Sequence, residues 1–138
     1  MGNSKNKQTL TAAEISALWL QYLGDSMAIC IYKYFLKIVE DNEIKSIIKL
    51  SLSLAEKHIT NIKEFLKTAN FQIPVSFTDD DVNLKAPRLF SDQFLLFYSY
   101  IMTLHGLTAY SLAITNCERE DIQNYYYECV KSSKDLFQ

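Results

Sequence analysis

Residues near the N-terminus carry two apolar seams on one helical stretch, and this double pattern constrains the fold more than any single motif. Ala13, Ala17, Leu20, Gly24, Met27, Ile31, Tyr34 and Ile38 recur at alternating steps of four and three, a stripe along one face of a long helix. Ile15, Leu18, Tyr22, Ile29, Tyr32 and Leu36 keep the same rhythm on the far side, interrupted by Asp25. A helix with one apolar face is satisfied by its own domain, whereas two faces require a second cover. The second stripe, Ile15, Leu18, Tyr22, Ile29, Tyr32 and Leu36, is therefore assigned to self-association, and a homodimer is expected.

The rest of the chain agrees with a helical globule. Its 138 residues suit one domain, and with 49% hydrophobic residues but only three glycines and two prolines it reads as neither disordered nor all-β. Net charge is −2 and only Arg88 and Arg119 are arginine, so the bidentate contacts of nucleic-acid readers are poorly supplied. Nucleic acid is not an expected partner. Cys30, Cys117 and Cys129 are odd in number and show no C-x-x-C spacing, which predicts reduced thiols and no zinc pattern. No apolar core follows the polar start Met1–Gln8, so no secretory signal is read and a cytoplasmic location is expected.

Four helices are predicted. Residues 1–10 read as a disordered lead, and 11–138 as the bundle domain. Thr11 and Glu14 have capping-box spacing, opening a first helix that runs to about Asp41. A second helix over about 43–69 sets Ile44, Ile48, Ser51, Ala55, Ile59, Ile62, Leu66 and Ala69 on one side. From Asn70 to Phe90, Pro74, Pro87 and the run Asp79–Asp81 describe a long connection. Its length, roughly 65 Å if extended, can return along the whole bundle. The predicted fold is therefore an all-α, ferritin-like four-helix bundle with one long crossover between helices 2 and 3.

Ser91 is placed to cap the third helix, and a fourth is expected to be capped near Asn116 and to bury Ile122, Tyr126, Cys129, Ser133 and Leu136. From Phe94 to Cys117 there is no Asp, Glu, Lys or Arg. Some 20 apolar residues suffice to cross a bilayer, but Ser99, Thr103, His105, Thr108, Ser111, Thr115 and Asn116 are spread through this segment. A buried or interfacial helix is expected, not a membrane span.

A bundle of this topology invites a test for di-iron chemistry, which needs a Glu on each of two helices and Glu-x-x-His on each of the others. Ala55 stands three before His58, the body of helix 3 has no acidic residue, and Lys131 stands three after Glu128. No helix carries the motif, and no cofactor is expected. Asp25, His58 and His105 remain the candidates for an atypical metal site, because a carboxylate in an apolar seam needs a partner and each His sits on a helix that could bring it near. The competing reading is a polar cluster that sets helix register. A weaker alternative is a carrier with an apolar pocket between helices 1 and 3. No phosphate loop is present and Cys30 has no adjacent base, so nucleophilic catalysis has little support and the chain reads as non-enzymatic.

The stretches Leu10–Trp19, Asp25–Ala28, Leu52–Ile59 and above all Ile73–Asp92 (IPVSFTDDDVNLKAPRLFSD) together resemble a family of unknown function from Gram-positive spore formers. Its members are ferritin-like four-helix bundles, sometimes labelled spore-coat-like. The resemblance covers nearly the whole chain and bears on the fold; the expected role, self-association or packing into an assembly in the sporulating cell, rests on the extra seam and the uncharged third helix. Typical members carry two bundles in tandem and this chain resembles one half, which implies that a second copy supplies the missing surface. The resemblance transfers no catalytic residues.

Overall fold

The computed structural model describes residues 9–136. Its four α-helices are α1 (Ala12–Ile38), α2 (Asn42–Thr68), α3 (Asp92–Asn116) and α4 (Glu120–Asp135), with one 3-10 turn, Asp79–Asp81, in the crossover. The expected disordered lead, residues 1–10, lies largely outside the described residues.

Each helix starts where its side chains can satisfy free amides. Thr11 Oγ1 accepts from the Glu14 amide at 3.1 Å while Glu14 Oε1 accepts from the Thr11 amide at 2.8 Å, the reciprocal capping box predicted from spacing. Asp41 caps α2 and Ser91 caps α3. At the far end of α2, Asn70 takes φ +56°, the Phe71 amide reaches back to the Leu66 carbonyl at 2.8 Å and the Asn70 amide to Lys67 at 3.0 Å. This is a Schellman stop with asparagine in the left-handed position.

The crossover runs up the side of α1. Trp19 Nε1 donates to the Gln72 carbonyl at 3.1 Å, the Phe77 amide to Ser26 Oγ at 3.3 Å, and Cys30 Sγ to the Thr78 carbonyl at 3.2 Å. Farther along, Lys33 pairs with Asp79 at 2.8 Å, Tyr34 donates to the Pro87 carbonyl at 2.6 Å, and Arg88 reaches the Ile38 carbonyl. These contacts climb α1 in order, so the chain leaves the lower end of α2 and enters α3 at the upper end. Helices α2 and α3 therefore run parallel, the connectivity of ferritin-like bundles.

Two cores result. Leu18, Tyr22, Ile62, Leu66, Tyr110, Ile122, Tyr126 and Cys129 pack the lower half, and Tyr32, Tyr34, Phe35, Ile48 and Leu95 the upper. Leu18, Ile62, Leu66 and Ile122 are fully buried, each worth about 1.5–3 kcal/mol. Val82, Leu84, Ala86 and Phe90 of the crossover pack onto the upper core.

The two seams of α1 exchange the roles expected of them. Leu18, Tyr22 and Tyr32 lie in the chain's own core, with Ile15, Ile29 and Leu36 half-buried beside them, so the stripe expected to serve self-association faces inward. The other stripe divides. Its upper part, Ile31, Tyr34 and Ile38, is covered by the crossover and its surroundings, whereas Ala13, Leu20, Gly24 and Met27 below remain exposed. Identical periodicity gives two faces no orientation, and the aperiodic crossover gave no sign of which it would cover.

Helix α3 pairs chiefly with α4, and α1 with α2. With 16 residues against 25, α4 stops short and leaves the first turns of α3 uncovered. Phe94, Leu96, Phe97 and Tyr100 are exposed there, and a groove of about 350 Å3 opens between α2 and α3 beyond Leu136. No helix among the described residues is long and apolar enough to cross a membrane.

Candidate functional site

Asp25, the residue that breaks the inner seam of α1, meets His58 on the apolar face of α2: His58 Nδ1 lies 3.2 Å from Asp25 Oδ2. Both are largely withdrawn from water, with side chains 16% and 9% exposed. Cys129 of α4 is the second hydrogen-bond partner of the imidazole, and Gln21, one turn below Asp25, reaches both Asp25 and the Cys129 sulfur, the latter at 3.9 Å. The rings of Tyr110 and Tyr125 stand edge-on to His58 at 5.9 and 6.2 Å. All four helices thus contribute to one polar cluster inside an apolar bundle.

Its electrostatics follow from burial and pairing. Burial disfavours a charged imidazole, but the hydrogen bonds to Asp25 and Cys129 outweigh it, and the pKa of His58 is pushed up to about 9. Burial likewise raises the carboxyl of Asp25, against the opposing pull of His58 and Gln21. The pair therefore binds its protons more tightly than either group does in water. Desolvation pushes the phenols of Tyr110, Tyr125 and Tyr126 upward, so they stay neutral donors.

A carboxylate, an imidazole and a thiol in contact form the constellation of a nucleophilic site. Cys129, however, is 2% exposed, so a solute has no path to its sulfur.

Above the cluster, α1 and α3 separate into a cleft of about 530 Å3. Small side chains, Ala13, Ala17, Gly24 and Ala28 on α1 and Gly106, Ala109 and Ala113 on α3, line it together with larger ones such as Leu20, Met102 and Leu112. Asp25, His58, Gln21, Tyr110 and Tyr126 line it as well. A Cβ built on Gly24 would meet nothing within 4 Å. The side chains of Tyr126 and Gln21 each carry a buried polar atom, the Tyr126 hydroxyl and Gln21 Oε1, without a hydrogen-bond partner.

Of the three metal candidates, the structure brings Asp25 and His58 together. His105 lines the same cleft from an exposed position on α3 and is not part of the pair. Among the described residues no group of three or more His, Cys, Asp or Glu side chains is placed to hold a metal ion. Sequence reasoning missed Gln21, Tyr110 and Cys129 as members of the cluster. Cys129 lay on the predicted buried face of the fourth helix, but nothing in that face announced an imidazole opposite.

A second device ties the bundle ends. Glu14, wholly buried, uses its other oxygen, Oε2, to accept from the amides of Glu118 and Arg119 at 2.8 and 2.7 Å. The cap expected near Asn116 is not there: α4 starts after Arg119, which makes no side-chain cap, and Glu14 of another helix satisfies the free amides. At the opposite end Asp92 does the same for the α1–α2 turn, accepting from Asp41 at 2.7 Å and Glu40 at 3.2 Å while binding Arg88 at 3.0 Å.

The architecture defines an all-α four-helix bundle with a single long crossover and a buried polar cluster. The chain belongs to the family described as Protein of unknown function (DUF3231), whose model matches residues 1–138. Its fold is similar to that of a "putative spore coat protein" from Bacillus halodurans C-125, known from a crystal structure, with a TM-score of 0.83 at 18% identity. The match covers 95% of this chain and 85% of that one. Among curated proteins, none matches.

Proposed function

We propose that the protein is a non-enzymatic packing component that works by self-association, within an assembly of the spore-coat kind. The observation that carries this reading is the start of α3, where Phe94, Leu96, Phe97 and Tyr100 stand 46, 38, 61 and 47% exposed on a helix with no charged residue between Gln93 and Cys117. Large apolar surface is normally broken up by charge on a monomer, and contiguous patches mark interaction sites. The groove beside it is lined by Ile47, Leu96 and Phe97. A second copy that seats its own α3 there buries the same residues on both sides, as two-fold symmetry requires. Likeness in fold to the Bacillus protein, described as a "putative spore coat protein", supports an assembly role.

Sedimentation velocity at micromolar concentration tests this, with dimers or larger species expected and Phe97→Glu shifting the population to monomer. A wild-type chain that stays monomeric under those conditions overturns the reading.

A further inference from the structure

Helix α3 repeats its outward residues with a period of its own. Phe94, Phe97, Ile101 and Leu104 recur at steps of three, four and three, and the same rhythm continues through Thr108, Ser111 and Thr115. The inward face is carried by Leu95, Ser99, Tyr110 and Ala113, all buried. Phe94, Phe97 and Leu104 are exposed and Ile101 is half-buried, so the repeat lies on the side turned away from the chain's own core. Alternating steps of three and four average about 3.5 residues per turn, the period by which one helix meets another along a seam. Neither a lipid surface nor a small molecule requires such a period.

The flanks of the seam restrict the partner. In paired helices, charged side chains beside the seam choose partner and orientation, and no Asp, Glu, Lys or Arg stands between Gln93 and Cys117. A helix with charged flanks would bury those charges against uncharged neighbours without compensation. Among the described helices, α1, α2 and α4 carry charged residues along their length, and α3 alone has an uncharged body. The helix of this chain that suits α3 is therefore a second α3.

Composition along the seam sets its direction. The first half is apolar, and the second half, Thr108, Ser111 and Thr115, is hydroxylated. Parallel seams would set hydroxyl against hydroxyl over that second half. Phe94 and Leu104 are equidistant from Ser99, as are Phe97 and Ile101, so an antiparallel pair centred there sets apolar against apolar throughout. The Phe94 ring is already stacked on Phe90 at 4.3 Å, so little freedom is lost when it is covered.

We propose that two copies join through an antiparallel pair of α3 helices, the two-fold axis level with Ser99, with Phe94 and Phe97 of each copy packed against Leu104 and Ile101 of the other. The pairing rests on the self-association proposed above and adds its direction and register.

Disulfide trapping under native conditions tests it, since Cys30, Cys117 and Cys129 are buried and do not compete. Bridged cysteines need Cα atoms within about 7 Å. Chains carrying Phe94→Cys and chains carrying Leu104→Cys, mixed and mildly oxidised, are expected to cross-link to each other. Phe94→Cys alone is expected to stay uncrosslinked, because its two sites would lie about 15 Å apart along the helix axis at ~1.5 Å per residue. In sedimentation velocity, Leu104→Glu is expected to weaken dimerisation by at least about tenfold with helicity kept, and Thr108→Leu, which lies beyond the start of the facing helix, to leave it within about twofold. A dimeric protein whose mixed pair does not cross-link, self-cross-linking of Phe94→Cys, or tenfold tightening by Thr108→Leu overturns the antiparallel register while self-association stands. Dimerisation untouched by Leu104→Glu overturns the seam, and a wild-type chain that stays monomeric overturns both the pairing and the reading beneath it.

Discussion

At the scale of single residues, two buried carboxylates do different work because their partners differ. Glu14 receives three backbone amides, and although burial acts to raise its pKa, those hydrogen bonds from Arg119, Thr11 and Glu118 hold it below the usual range. The stabilisation is therefore present above pH 4.5 and lost as pH falls through the lowered value. Glu14→Gln turns a donor toward amides that need an acceptor, and a loss of about 2–3 kcal/mol is expected in urea unfolding. Asp25 instead faces an imidazole. His58 should titrate near pH 9 by NMR of its ring, and Asp25→Asn should lower that value, since burial is then opposed by Cys129 alone. In the wild type the contribution of His58 is complete below pH 6.5 and declines as pH rises through about 9. Thermal melts between pH 6 and 10 read that decline directly.

At the scale of elements, the helices and the length of the crossover were legible, and the face against which the crossover packs was not. The capping box at Thr11, the cap at Ser91 and the single face of α2 each follow from local spacing, which is why they agree with the structure to within a residue or two. The crossover was readable as to length and consequence, a parallel α2 and α3, because chain reach is a geometric quantity. Which face of α1 it would cover was not readable, since Ser26, Cys30 and Tyr34 hold it through hydrogen bonds that carry no period. The same limit hid the cluster: Asp25 and His58 are 33 residues apart, and only the α1–α2 hairpin register sets them opposite each other. Asn70 offers a check on the entry to the crossover. Its φ of +56° suits glycine better, so Asn70→Gly is expected to raise stability slightly, by a few tenths of a kcal/mol, in denaturant titration.

At the scale of the whole molecule, two helical hairpins are clasped at both ends by one carboxylate each, Glu14 below and Asp92 above. Between the clasps the hairpins touch more lightly than the helices within them do, which leaves room for the cleft. The aromatic start of α3 is the part that this arrangement leaves uncovered. Because no Asp, Glu, Lys or Arg interrupts residues 93–117, ions in the medium have nothing on that flank to screen. Association through it should persist in molar sodium chloride and tighten in ammonium sulfate, and light scattering across a salt series distinguishes this from an ion-paired interface. A shell built on such contacts would withstand brine and come apart in detergent.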